Sequence, residues 1–135
     1  MAAGDALGAG YEFGLPLADA TPVHMNGGGT FSWASGEWTD DTSMAVPILR
    51  VLAAGRPLDE PALDDFVAAW GGWARTAPDV GVQTRTVFDR MPDTAHATAI
   101  RSAREVHDAT GRSGGNGSLM RTAPVVLGFM GEGDD

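Results

Sequence analysis

Apolar side chains recur at helical spacing along most of this 135-residue chain, and this pattern most strongly limits its fold. In the segment that follows Asp40, Met44, Ile48, Val51 and Leu52 occupy the i, i+4, i+7 and i+8 positions of one helix face. No stretch of useful length alternates apolar and polar residues as a half-buried strand would. The sequence therefore predicts an all-α fold.

Capping residues and helix breakers set the expected helix boundaries. Asp59 is a typical N-cap, with Pro61 in the first turn of the helix that it begins, and Gly55 is a typical stop for the helix before it. Pro47 and Pro124 each remove a backbone donor, so we expect a kink or an interruption at both. After a short helix near the N-terminus and a long loop at 15–37, the expected helices cover about 40–54, 59–77, 80–91, 94–110 and 119–130.

Composition limits the class of protein and its partners. Eighteen acidic and nine basic residues give a formal net charge of -9, and such a charge argues against a nucleic-acid or membrane-surface partner. The chain has no cysteine, which excludes thiol chemistry. It shows no secretion signal and no apolar run long enough for a membrane span, so we expect a cytoplasmic protein. Its length corresponds to one domain or to part of one.

Thr39, Asp40 and Asp41 bring a hydroxyl and two carboxylates together where the long loop becomes a helix. Thr and Asp are favoured N-cap and first-turn residues, so helix capping is the simpler interpretation of these three alone. The other interpretation is a site for a hard cation, because Mg²⁺ and Mn²⁺ prefer oxygen ligands.

Two later segments could bind a substrate. Gly114–Arg121 offers consecutive backbone amides at the entrance of a helix, an arrangement that suits phosphate, although a flexible linker explains the glycines equally well. Asp79 could face a cationic group or simply begin the next helix. The three histidines show no metal-ligand spacing, and no nucleophile elbow, Walker loop or Rossmann fingerprint is present.

In this order the segments resemble the ADP-ribosylglycohydrolase family. The resemblance rests on Gly4–Gly8 with Glu12, on the string from Glu37 to Thr42, on Asp79–Gly81, and on the string from Gly115 to Arg121. The strings Trp-Thr-Asp-Asp-Thr and Gly-Asn-Gly-Ser-Leu-Met-Arg are specific, and the likeness runs over essentially the whole chain.

The resemblance implies a multi-helical bundle whose cleft holds two Mg²⁺ or Mn²⁺ ions and cleaves the glycosidic linkage of an ADP-ribosylated protein or small molecule. It implies metal ligation by Thr39, Asp40 and Asp41, and catalytic roles for Glu12 and Asp40. Asp79 would face the leaving group. The residues implied to hold phosphates and ribose are Gly115, Asn116, Gly117 and Ser118.

The chain also departs from this family. Its members are roughly twice as long and carry a second Asp-x-Asp-Thr-like metal motif, so residues 1–135 resemble the N-terminal part of one such domain. We therefore expect fewer metals than two, impaired activity of the isolated chain, and exposed apolar faces that include Leu63, Phe66, Val67 and Trp70. Two other hypotheses remain: an ADP-ribose-binding or helical module completed by a second chain, and a helical domain whose Asp pairs only cap helices.

Overall fold

The computed structural model describes residues 1–130, and this part of the chain is helical, as predicted. Within it the structure has six α-helices and two short 3-10 helices, with one isolated bridge between Gly28 and Trp33 in place of any strand. The α-helices are α1 (Ala2–Gly8), α2 (Asp40–Ala53), α3 (Glu60–Ala74), α4 (Val82–Asp89), α5 (His96–Thr110) and α6 (Leu119–Phe129). The 3-10 helices are Ala9–Tyr11 and Asn116–Ser118. None of the helices in residues 1–130 has the length and apolarity that crossing a bilayer requires.

The chain divides into two compact units, Met1–Ser43 and Met44–Asp135, and the division falls inside α2. The first unit contains α1, the adjoining 3-10 helix and the long loop. The second contains the rest of α2 and the four helices that follow it. The prediction that the whole chain is part of one domain stays a prediction.

The core of the second unit lies between α2 and α3. Ile48 and Val51 pack against Ala62 and Phe66, and the partly buried Leu52, Leu58 and Trp70 surround this cluster. The Trp70 indole donates a hydrogen bond of 2.8 Å to the carbonyl oxygen of Met44, which ties α3 to α2. The predicted α2 face is therefore confirmed, with Met44 also buried.

The predicted start of α3 is also confirmed. A carboxylate oxygen of Asp59 accepts a hydrogen bond of 3.0 Å from the amide of Ala62, and Pro61 lies in the first turn. The expectation of an exposed apolar face on this helix is wrong for two of its residues. Phe66 and Val67 are buried and Trp70 is half-buried, whereas Leu63 is exposed, because α2 covers part of this face within the same unit.

An interruption at Pro47 or Pro124 is ruled out, whereas a kink at either stays a prediction. Both prolines lie inside helices that continue past them, Pro47 in α2 and Pro124 in α6, since the loss of one backbone donor does not end a helix that packing supports. In α5 the apolar Ile100 is exposed, and the buried face consists of Thr98, Ser102 and Val106. α5 contacts both α3 and α4.

Candidate functional site

The carboxylate of Asp5 binds the N-terminal end of α2. It accepts hydrogen bonds from the amide of Thr39, at 3.0 and 3.2 Å, and from the amide of Thr42, at 2.9 Å. The carbonyl oxygen of Thr39 accepts from the amide of Ser43, so Thr39 stands at the N-cap position. A residue 34 positions earlier in the chain therefore satisfies donors that an N-cap side chain usually satisfies itself.

The Thr39 hydroxyl is consequently a donor and not a cap. Its oxygen lies 2.6 Å from Asp5 Oδ1 and 3.4 Å from Asp40 Oδ1, so its single proton is directed to Asp5. Thr39 is almost completely buried, with 1% of its surface exposed. Thr39 or Asp40 was the predicted N-cap residue, and Thr39 occupies that position, but Asp5 accepts the amide protons and the oxygen of Thr39 keeps its lone pairs.

Three carboxylates gather at this helix start. Asp5, Asp40 and Asp41 all lie at or near the first turn of α2, where the positive end of the helix dipole favours negative charge. Partial burial raises the pKa of the Asp41 carboxyl above 3.8, and the neighbouring charge of Asp5 raises that pKa further. The carboxylates of Asp5 and Asp41 therefore lie close enough for their charges to interact.

Glu12 lies in the same unit, at the end of the first 3-10 helix. Its neighbours on both sides are attached to the long loop. The Tyr11 hydroxyl donates to the carbonyl oxygen of His24 and accepts from the His24 amide. The Phe13 ring meets the Phe31 ring edge to face at 6.0 Å.

Phe13 adopts a backbone conformation that bulky residues avoid. Its φ angle is 61°, in the left-handed region, and its side chain is exposed. Such a conformation persists only where the surroundings impose it, and it commonly occurs beside functional residues. Here the surroundings are the loop contacts of Tyr11 and Phe13, which together orient the backbone that carries Glu12.

Two aromatic residues of the long loop at 15–37 pack against each other. Trp33 is buried, and its ring lies 5.7 Å from that of Phe31. Trp38, which immediately precedes Thr39, is 49% exposed.

The substrate-binding residues suggested by the sequence lie in the second unit. Gly115 precedes the 3-10 helix Asn116–Ser118, which leads directly into α6. This is the predicted arrangement of backbone amides at a helix entrance. Asp79 lies half-buried shortly before α4.

A side chain of α4 supports this glycine-rich segment. The Gln83 amide nitrogen donates a hydrogen bond of 3.3 Å to the carbonyl oxygen of Ser113, and the hydroxyl of Ser113 lies 2.6 Å from His107 Nδ1. A Cβ atom on Gly115 would come within 3.1 Å of Gln83 Oε1. Gln83 was not among the residues singled out in the sequence, because nothing in its own neighbourhood marks this long-range contact.

Arg121 packs against the Trp70 ring, in addition to any role in binding phosphate. Its guanidinium carbon lies 5.1 Å above the centre of the Trp70 ring, within the range of a cation–π interaction. Burial lowers the pKa of this guanidinium.

The donor atoms of the first unit suit a hard cation, but they form only part of a coordination shell. The Thr39 hydroxyl and the Asp40 and Asp41 carboxylates are oxygen ligands of the kind that Mg²⁺ and Mn²⁺ prefer. Among residues 1–130, no three or more His, Cys, Asp or Glu side chains are grouped so that they could hold one metal ion. Glu12, Asp40 and Asp41 thus do not make such a group by themselves.

Comparison with known proteins identifies the family. The sequence model described as ADP-ribosylglycohydrolase matches residues 1–135. The chain belongs to the ADP-ribosylglycohydrolase family. It is 34% identical over 140 residues to the ADP-ribosyl-[dinitrogen reductase] glycohydrolase of Rhodospirillum rubrum, an alignment that covers 100% of this chain and 44% of that protein. It is 32% identical over 134 residues to the ADP-ribosylarginine hydrolase Tri1 of Pseudomonas putida (strain GB-1), covering 94% of this chain and 33% of that one.

A solved structure shares the fold. An ADP-ribosylglycohydrolase-related protein complex superposes with a TM-score of 0.60 and 34% sequence identity, over 98% of this chain and 41% of the other. The family and the helical fold predicted from the sequence are thereby confirmed. The chain spans less than half the length of the curated relatives that it matches.

Proposed function

We propose that this chain carries part of a metal-dependent site that hydrolyses ADP-ribosyl glycosidic linkages. Membership of the ADP-ribosylglycohydrolase family supports the reaction class. The observation that carries the proposal is the 2.6 Å hydrogen bond from the Thr39 hydroxyl to Asp5, which leaves the Thr39 oxygen lone pairs for a cation beside Asp40 and Asp41. The relatives named above act on ADP-ribosylated dinitrogen reductase and on ADP-ribosylarginine, so we propose an ADP-ribosylated protein or small molecule as substrate.

In this proposal Thr39, Asp40 and Asp41 hold Mg²⁺ or Mn²⁺. When bound, such an ion supplies Lewis-acid polarisation and lowers the pKa of a water molecule. Burial raises the pKa of Asp41, and the nearby charge of Asp5 raises it further; this second effect, a carboxylate close to Asp41, supports cation binding here. Further ligands would be needed beyond these three, since no three His, Cys, Asp or Glu side chains of residues 1–130 are grouped so that they could hold a metal ion.

The remaining roles follow from chemistry and from position. Glu12 would accept a proton from water or assist the leaving group, which requires the fixed backbone that Tyr11 and Phe13 provide. Asp40, as a metal ligand, would also take part in catalysis. Asp79 would face a cationic leaving group such as a guanidinium, and Gly115, Asn116, Gly117 and Ser118 would bind the pyrophosphate and ribose through backbone amides.

Metal binding and hydrolysis can be tested separately. Titration of the chain with Mn²⁺, followed by the loss of the free-ion EPR signal, should show saturable binding, and Asp40→Asn and Asp41→Asn should each weaken it at least tenfold. We also propose that the isolated chain is impaired, so an assay with ADP-ribosyl-arginine should show only slow Mn²⁺-dependent release of ADP-ribose, which Glu12→Gln lowers further. If neither Asp substitution changes Mn²⁺ binding, these residues serve only to cap the helix.

One observation favours a second candidate, a helical module completed by further polypeptide. Several large apolar side chains of α6 and its ends are exposed: Leu119, Val126, Leu127, Phe129 and Met130. Exposed apolar clusters commonly mark contact surfaces. Sedimentation velocity and calorimetry with ADP-ribose would distinguish the candidates. A module would bind ADP-ribose but would not turn over a substrate.

A further inference from the structure

The contacts of Asp5 extend the proposed function to a residue outside its ligand set. The resemblance to the family assigns Asp5 no catalytic role, and side-chain packing alone would explain its presence. In the structure its carboxylate receives three different donors from one corner of the protein: the Thr39 amide, the Thr39 hydroxyl and the Thr42 amide. A residue that only filled space would not need this pattern.

The three bonds have separate consequences. The two amide bonds hold the first turn of α2 and perform the capping that Thr39 would otherwise perform. The hydroxyl bond removes the alternative in which Thr39 turns its oxygen toward those amides. It also consumes the only proton of that oxygen, so that both lone pairs remain available to an electrophile.

We propose that Asp5 is a positioning residue that orients the Thr39 oxygen toward a bound divalent cation, an inference that rests on the proposed function. Asp5 touches neither the cation nor the substrate in this account. It acts through Thr39, as a hydrogen-bond acceptor behind a metal ligand commonly does. The negative charge of Asp5 also strengthens the hydroxyl as a ligand, because a carboxylate acceptor polarises the O–H bond.

Four variants test this proposal on the 135-residue chain with Mn²⁺ alone as the probe. Asp5→Asn removes one acceptor and the charge, and Thr39→Val removes the hydroxyl while keeping the shape and both amide bonds to Asp5. Asp5→Asn/Thr39→Val combines them. Asp59→Asn is the matched control, because Asp59 also caps a helix, α3, away from the proposed metal ligands.

The expected result is a specific pattern of Mn²⁺ affinities. Asp5→Asn should raise the Mn²⁺ dissociation constant about 10–100-fold, the usual range for loss of a residue behind a ligand. Thr39→Val removes the ligand itself and should raise the dissociation constant at least as much. The double variant should be no weaker than Thr39→Val, because Asp5 acts through the hydroxyl that Thr39→Val lacks. Asp59→Asn should leave the Mn²⁺ affinity unchanged. Multiplicative losses in the double variant, or an Asp5→Asn chain with normal affinity, would overturn the role of Asp5.

Hydrogen exchange supplies a readout that does not depend on metal. The Thr39 and Thr42 amides should exchange faster in Asp5→Asn than in the unmodified chain, and at the normal rate in Thr39→Val. Thr39→Val therefore tests the hydroxyl in a chain whose helix start is intact, even if Asp5→Asn unfolds. If the unmodified chain binds no Mn²⁺, the proposed metal site fails together with this inference. If it binds Mn²⁺ and the affinity pattern is absent, only the inference fails.

Discussion

The backbones of Gly10 and Gly27 are in close contact. This contact packs the long loop against the segment that carries Glu12. A Cβ atom on Gly10 would overlap the carbonyl group of Gly27. A Cβ atom on Gly29 would in turn come within 2.7 Å of the carbonyl oxygen of Gly10. The glycines of the loop therefore serve a close approach of two backbones, which no other residue type allows.

Gly10→Ala should therefore destabilise the first unit, since neither backbone can move away cheaply. We expect a loss of about 1–3 kcal/mol in the free energy of unfolding, as for other overpacked sites. Gly4→Ala is the control, because a Cβ atom there meets nothing within 4 Å and the residue lies in α1. Urea denaturation should rank Gly10→Ala below the unmodified chain and Gly4→Ala level with it or above; equal midpoints for the two variants would contradict the contact.

Trp70→Phe should destabilise the second unit by about 1–2 kcal/mol. The substitution removes the hydrogen bond to the Met44 carbonyl and weakens the stacking of Arg121, each a contribution of about 0.5–1.5 kcal/mol. Trp38→Phe, at an exposed position, should change the unfolding free energy by less than about 0.5 kcal/mol. Thermal melts of the two variants provide the measurement, and equal effects would show that the indole bond contributes nothing.

The start of α5 should make stability depend on pH in the acid range. Hydrogen bonds from the His96 amide and ring lower the pKa of Asp64 below 3.8, and a hydrogen bond from the Ala95 amide lowers the pKa of Asp93 in the same way. Because both pKa values are lower in the folded state, the stabilisation is fully present above the unfolded value of 3.8. It is lost as the pH falls through the folded values.

Urea unfolding at a series of pH values from 6 to 2 checks this expectation. The unmodified chain should lose stability as the pH falls below about 4. Asp64→Asn should lose less over the same range, and Asp64→Asn/Asp93→Asn less again. A slope that neither substitution reduces would show that other carboxylates control the acid dependence.

The sequence allowed the fold to be predicted where its signals are local. Asp59 and Pro61 mark the start of α3 within a few residues, and Gly55 marks the end of α2 with a φ angle of 67°. The buried face of α5 was only partly predictable, because two of its three buried residues, Thr98 and Ser102, are small and polar. Burial of such residues depends on how closely neighbouring helices approach, which hydrophobic periodicity does not report.

The residues of the candidate site were predictable from the sequence, but their long-range hydrogen bonds were not. The sequence Thr39, Asp40, Asp41 does not show whether Thr39 caps its own helix or a distant carboxylate does so. Only the structure shows that Asp5 accepts the amide protons. Gln83 escaped notice for the same reason, since its contact with Ser113 joins residues 30 positions apart.

Gly115→Ala should weaken ADP-ribose binding if the glycine-rich segment holds the pyrophosphate. The new Cβ atom would press on Gln83 Oε1 at 3.1 Å and disturb the bond from Gln83 to Ser113. We expect a several-fold loss of affinity by calorimetry, equivalent to about 1 kcal/mol. Gly114→Ala is the matched control, because a Cβ atom there meets nothing within 4 Å. Adding Gln83→Ala to Gly115→Ala removes the clash. If crowding is the cause, the double variant should bind ADP-ribose better than Gly115→Ala alone. If it does not, the space at Gly115 is needed by the ligand itself.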